Sequence, residues 1–158
     1  MATFGNVLTR QGGTAMSGKT VTITIAVPDK QKGAPIPQDV TILLLPVSET
    51  RKAKAFREAE AYVDAINQAA QKEQIPSTAP SLQDERTLRY LCESMRDPED
   101  ARKFFVGGNE IDKFRDCLIS EQVNFLTNAY NEMIKSEYAE LRAPDTDAMR
   151  QKATETFQ

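Results

Sequence analysis

The sequence predicts an α+β fold, in which an N-terminal antiparallel β-hairpin is followed by a mostly helical half of about four helices. Two observations predict it. Residues 20–27 alternate between β-branched apolar and polar side chains, which is the period of a half-buried strand. From residue 49 onward, apolar residues recur every three or four positions, which is the period of amphipathic helices.

The composition is ordinary for a globular protein. The 158 residues suffice for one domain with a real core, and 40% of them are hydrophobic and 27% charged. A net charge of −3 argues against nucleic acid as the main partner, because phosphate binding needs a surplus of Lys and Arg. The N-terminus has no signal-peptide pattern, and the longest apolar run, residues 42–45, is too short to span a bilayer. We therefore expect a protein that has no membrane partner and is located in a reducing cytoplasm, where Cys92 and Cys117 are free thiols.

Residues 1–19 are rich in glycine and polar side chains and have no helical or strand period. This pattern predicts a flexible arm that orders on a partner. Residues 13–20 match the phosphate-loop pattern GxxxxGK[ST]. A strand pattern follows Thr20, however, so no helix N-terminus is present to bind phosphate, and no nucleotide or other cofactor is expected.

Two strands are predicted, at residues 20–27 and 40–45. The connection between them is short and contains Pro28, Pro35 and Pro37, so it excludes a crossover helix and favours antiparallel pairing. A lone hairpin is only marginally stable in water, so this one must pack on helices or on a neighbouring subunit. The sequence therefore leaves a homo-oligomer as one alternative.

Ser48 is a predicted N-cap for a long helix at about residues 49–73. The apolar positions of this helix make one narrow stripe: Phe56, Ala59, Val63, Ile66 and Ala70. Two interpretations stay open, namely that the stripe packs on the hairpin or that part of it binds another chain.

The prolines of residues 74–80 end that helix, and Ser81 caps the next one. The later helices are predicted at about residues 82–96, 109–118 and 121–141. Residues 20–142 then form a single domain, followed by a loosely ordered tail at 143–158.

The residue chemistry predicts no reaction. The chain has no histidine, which excludes the Ser–His and Cys–His nucleophiles and the usual zinc ligands. The acidic residues near Asp97 do not have the spacing of a calcium loop. We therefore expect a protein that is not an enzyme, with no catalytic, cofactor-binding or metal-binding residues.

The paired aromatics Phe104 and Phe105 stand in a predicted loop before two glycines. Two interpretations stay open: they form an exposed hydrophobic anchor, or one of them folds back into the core beneath the helices.

Residues 81–142 resemble the tail assembly chaperones of long-tailed bacteriophages. The resemblance lies in a helix with Leu88, Leu91 and Ser94, a break at Asp97, the Phe104–Phe105 pair, a short acidic helix and a long helix containing Tyr130. It implies a chaperone in the bacterial host cytoplasm that binds the tape measure protein, with the tail tube protein as a second candidate partner. Such a chaperone keeps the long apolar helices of the tape measure protein soluble until the tube polymerises.

A partner surface of this kind should be a narrow apolar groove or stripe with a charged rim. The residues predicted to form it are Phe56, Tyr62, Val63, Ile66, Phe104 and Phe105. The alternative is a structural virion subunit of the tail or head–tail region, which assembles through the arm at 1–19 and the strands at 20–45.

Overall fold

The structure, a computed structural model, describes residues 3–9 and 17–141. Its helices and strands, in chain order, are α1 (Phe4–Thr9), β1 (Lys19–Val27), β2 (Ile36–Leu44), α2 (Glu49–Glu73), α3 (Leu82–Ser94), β3 (Met95–Asp97), β4 (Asp100–Phe104), α4 (Ile111–Asp116), α5 (Ser120–Ser136) and a 3-10 turn at Ala139–Leu141. The predicted α+β class is confirmed: an N-terminal hairpin belongs to an antiparallel sheet, and helices pack on it.

The sheet has four strands in the order β1-β2-β3-β4. The hairpin pairs along its whole length, from Lys19 opposite Leu44 to Val27 opposite Ile36. The short strand β3 joins the other side of β2, where Met95 lies opposite Leu44. This register places the apolar side chains of three strands on one face of the sheet.

The core lies between that face and the helices. Buried side chains of the sheet pack against α3, α4 and α5, and the cluster they form comprises Val21, Ile23, Ile42, Leu44, Leu88, Leu91, Cys92, Met95, Val106, Ile111, Phe114, Leu126, Ala129, Tyr130, Met133 and Tyr138. The other face of the hairpin is polar, with the hydroxyls of Thr22 and Thr41 3.1 Å apart and Thr24 donating to Asp39 at 2.6 Å.

Helix α2 packs on α3 and not chiefly on the hairpin, so the first interpretation of its apolar stripe is wrong about the element it contacts. Its buried residues are mostly small, Ala55, Ala59 and Ala70, together with Val63. Small side chains let two helix backbones approach closely and offer little area to a sheet about 10 Å away. None of the four belongs to the main core cluster.

Several predicted boundaries differ from the structure. Residues 4–9 of the predicted flexible arm form α1, and the second strand starts at Ile36, not at residue 40. The helix predicted at 82–96 ends at Ser94, because Met95–Asp97 pairs with β2 as a strand.

The two later helices are also shorter than predicted. The helix predicted at 109–118 covers Ile111–Asp116, and the one predicted at 121–141 covers Ser120–Ser136 before the 3-10 turn. The predicted tail at 143–158 lies outside the described residues.

Candidate partner-binding surface

Helices α3 and α5 lie side by side and leave an open groove between them. Two cavities of about 380 and 300 Å³ adjoin along it, because Thr87 on α3 and Thr127 on α5 line both. We call this the α3–α5 groove. Its lining residues are Lys52, Phe56, Pro80, Gln83, Asp84, Glu85, Arg86, Thr87, Leu88, Tyr90, Leu91, Arg115, Leu118, Ile119, Ser120, Val123, Asn124, Thr127, Tyr130 and Asn131.

The groove has an apolar floor and a charged rim. Leu88, Leu118 and Val123 provide aliphatic surface, while Lys52 and Asp84 bring charges of opposite sign. Concave sites of this volume with a mainly apolar lining are the usual form of a binding pocket.

One end of the groove is formed by Ile119, the residue before α5. Its backbone N–H donates to the Gln122 side-chain oxygen at 2.7 Å, and the Gln122 amide also donates to the Thr24 carbonyl of β1. These bonds fix the start of α5 against the sheet edge. The Ile119 side chain makes none of them and is 58% exposed.

The other end has an aromatic wall. The Tyr90 and Tyr130 rings meet edge to face with centroids 5.4 Å apart, and their hydroxyls are 2.9 Å apart. The Val47 backbone N–H donates to the Tyr130 hydroxyl at 3.0 Å. Burial and the hydrogen bond to Tyr130 raise the pKa of Tyr90, so the Tyr90 phenol stays neutral at physiological pH. Phe56 extends this wall, with its ring centroid 6.5 Å from that of Tyr90.

A buried network of charged side chains borders the larger cavity of the groove, which is lined by Glu85 and Arg115. Glu85 is 1% exposed and accepts from Arg89 Nε at 2.8 Å and from Arg115 Nε at 3.1 Å. Arg115 also donates to the Tyr62 hydroxyl at 3.0 Å and to Asp112 at 2.7 Å. Burial alone would lower the pKa of Arg115, but the hydrogen bonds to Glu85 and Asp112 outweigh it and raise the pKa. The network joins α2, α3 and α4 at one point.

The structure does not bring the six predicted partner residues into one surface. Phe56 lines the α3–α5 groove, whereas Tyr62 is engaged by the guanidinium groups of Arg115 and Arg89, 4.3 and 5.2 Å from its ring centroid. Val63 is buried, on the helix that packs on α3. Tyr62 and Ile66 line a separate cavity of about 360 Å³ at the C-terminal half of α2.

The two phenylalanines separate from each other. Phe105 is half-buried and packs edge to face on Phe114, with centroids 6.1 Å apart, as the core interpretation expects. Phe104 ends the edge strand β4 and is partly exposed, with the guanidinium groups of Arg96 and Arg51 4.0 and 5.1 Å from its ring centroid. Burial lowers the pKa of Arg96.

The residues predicted from the sequence to bind a partner include none on the α5 side of the groove. Leu126 and Met133 of this helix belong to the core. Ile119, Val123 and Thr127 lie four residues apart on the side of α5 that lines the groove. The apolar Ile119 directly before the helix was the available signal in the sequence.

Within residues 3–9 and 17–141, no group of three or more Cys, Asp or Glu side chains is arranged to hold a metal ion. No helix in the same ranges is long and apolar enough to cross a membrane.

No family model, no curated protein and no solved structure matches this chain. The resemblance to tail assembly chaperones therefore depends on the residues of this chain alone.

Proposed function

We propose that this chain is a non-enzymatic tail assembly chaperone of a long-tailed bacteriophage, which binds an apolar helix of the tape measure protein in the bacterial host cytoplasm. The observation that carries the proposal is the α3–α5 groove, an open apolar channel with a charged rim. Its residues fall within the part of the chain that resembles the chaperone family, apart from Lys52 and Phe56 on α2 and Pro80.

The groove has the dimensions of a helix-binding site. From Ile119 to Asn131 it follows α5 for twelve residues, which at about 1.5 Å per residue is about 18 Å, or more than three helical turns. An amphipathic partner helix places anchors at i, i+3, i+4 and i+7 over about 10.5 Å, so such a set fits within the groove. The aromatic wall and Ile119 stand at opposite ends of the groove.

The rim explains how such a surface is compatible with a chain that is free in solution. The apolar floor is recessed between two helices, and Lys52, Asp84 and Arg86 surround it. A recessed, charge-rimmed strip exposes less contiguous apolar area than a flat patch and so resists non-specific association.

The test is binding of synthetic helical segments of the tape measure protein to the wild-type chain and to Ile119→Asp. Ile119 occupies the N-cap position of α5, with φ −109° and ψ 166°, and Asp is a favourable residue there. The substitution should therefore keep the fold and still weaken binding at least roughly tenfold, as loss of an anchor does.

Phe125→Asp is the matched control. Phe125 lies on the same helix, is 49% exposed and does not line the groove, so its substitution should leave binding unchanged. Equal binding by wild type and Ile119→Asp would exclude the groove as the site. If no tape measure segment binds the wild type, the chaperone proposal fails.

One observation favours the alternative of a structural virion subunit. Strand β1 is a sheet edge, and its second half is covered, since Ala26 donates to the Cys117 carbonyl at 2.9 Å. Residues 20, 22 and 26 alternate with those that hydrogen-bond to β2, so the backbone N–H and C=O groups of Thr20 and Thr22 point away from β2, as those of Ala26 do. No described residue forms a backbone hydrogen bond with them on that side. A neighbouring strand can add there. A structural subunit is stoichiometric in purified particles, whereas a chaperone is absent from them.

A further inference from the structure

Helix α1 carries an apolar face that is exposed. Phe4, Val7 and Leu8 stand at i, i+3 and i+4, so they lie on one side of the helix. They are 53–76% exposed, and α1 has no buried residue. Three large apolar side chains at this spacing are the pattern by which a short helix anchors in a groove.

The helix is encoded by the sequence but is too short to be stable alone. Thr3 begins it, since its hydroxyl accepts from the Asn6 N–H at 3.3 Å and its carbonyl from the Val7 N–H at 3.1 Å. Isolated helices shorter than about 12 residues are marginal in water, and α1 has six, none of them charged. Contact with a docking surface would stabilise α1 as a helix.

We propose that α1 of one copy of this chain docks in the α3–α5 groove of a second copy. This inference rests on the proposed role of the groove as a helix-binding site, but not on the tape measure protein as its occupant. Both elements are open in the same chain, with Phe4, Val7 and Leu8 exposed and the groove empty of any described side chain of α1.

Helix α1 is short enough for the groove and brings no charge to it. The anchors from Phe4 to Leu8 span four residues, about 6 Å, so they fit within the roughly 18 Å length of the groove. Because α1 has no charged side chain, it brings no like-charge repulsion to a chain of net charge −3.

The connection is long enough for exchange between copies. Residues 10–18 join α1 to β1, and nine residues span at most about 30 Å. The start of β1 is fixed beside α5, where Lys19 pairs with Glu132 at 3.1 Å, next to the groove residue Asn131. A connection of this length allows α1 to lie up to about 30 Å from the start of β1 and so to extend beyond its own copy. A self-associated form of this kind covers the groove until a partner helix displaces α1.

The experiment measures mass by light scattering over a dilution series, without any tape measure segment, for wild type, Leu8→Asp, Ile119→Asp and Phe125→Asp. Wild type and Phe125→Asp should self-associate, while Leu8→Asp and Ile119→Asp should do so at least roughly tenfold more weakly. Melting temperatures should stay close to wild type, because α1 has no buried residue and Ile119 is exposed.

Mixing the two defective variants sharpens the test. Leu8→Asp retains a working groove and Ile119→Asp retains a working α1, so one contact between them remains and a heterodimer should form. A monomeric wild type, or an Ile119→Asp variant that associates like wild type, overturns the inference. Monomers throughout, with a labelled peptide of residues 1–12 binding more tightly to Leu8→Asp than to wild type, overturn it in favour of docking within one chain.

The inference and the proposed function fail separately. Self-association that depends on Leu8 and Ile119, with no binding of any tape measure segment, refutes the chaperone proposal alone. Binding of such a segment by a chain that stays monomeric refutes the self-docking alone.

Discussion

The sharpest prediction concerns the buried carboxylate of Glu85. Glu85→Gln removes the charge and keeps the side-chain shape, so the guanidinium groups of Arg89 and Arg115 lose their common anion. Removing one partner of a buried ion pair strands the other charge in a poorly hydrated site. The two arginine side chains are 11% and 21% exposed, so water compensates them only in part.

The magnitude follows from that geometry. Breaking a buried pair costs about 3–5 kcal/mol, and the lower end applies here because the Gln oxygen still accepts a hydrogen bond. We expect a loss of about 3 kcal/mol in the free energy of unfolding. For a chain of this length, each kcal/mol lowers the melting temperature by about 2–4 °C, so the expected shift is about 6–12 °C. Urea and thermal unfolding followed by far-UV circular dichroism measure both.

Asp112→Asn is the matched control. Asp112 pairs with the same Arg115, but its side chain is 72% exposed, and exposed pairs contribute about 0–1 kcal/mol. A Glu85→Gln variant within about 1 kcal/mol of wild type, or an Asp112→Asn variant that costs as much as Glu85→Gln, would refute the reasoning.

Three further predictions follow from the core. Leu126→Ala, at a fully buried position, should cost about 2–5 kcal/mol in urea unfolding, with Phe125→Ala near neutral. Tyr130→Phe loses the Val47 and Tyr90 hydrogen bonds and should cost about 1–2 kcal/mol in the same assay. Burial raises the pKa of Cys92 to about 12, whereas an unfolded thiol ionises near about 8.5. The native state therefore holds this proton longer, so stability should fall above about pH 8.5, by about 1.4 kcal/mol per pH unit, and Cys92→Ala should reduce that slope.

The hairpin and α2 were predictable because their patterns are local. The alternation from Val21 to Val27 marks β1, and Ser48 with the following stripe gives the observed bounds of α2. Each of these signals is complete within one segment of the chain, so no knowledge of its neighbours is needed.

Strands β3 and β4 were not predictable in this way. Met95 continues the spacing of Leu88 and Leu91, so it reads as a further turn of α3. What makes it a strand is pairing with Leu44, about fifty positions earlier in the chain. Tertiary pairing overrides local periodicity in such short segments.

The candidate site shows the same limit. Phe56 was predicted because it stands on an amphipathic helix, whereas Ile119 becomes a groove residue only once α3 and α5 lie side by side. The Tyr62 phenol reads as an exposed anchor in the sequence, yet it accepts from Arg115, 53 residues away. Nothing local to either residue indicates that contact.

The groove and the charge network share Glu85 and Arg115, and this gives the network a second effect. The side chains that line an empty apolar groove tend to repack and close it. Reopening the groove then adds a free-energy cost to binding. The ion pair of Glu85 with Arg115 joins α3 to α4, and both residues line the groove, so this part of the lining is held in place when the groove is empty. Glu85→Gln should therefore weaken binding of a tape measure segment as well as stability, while Asp112→Asn changes neither. Stability lost with affinity intact would show that the network holds the core and not the groove.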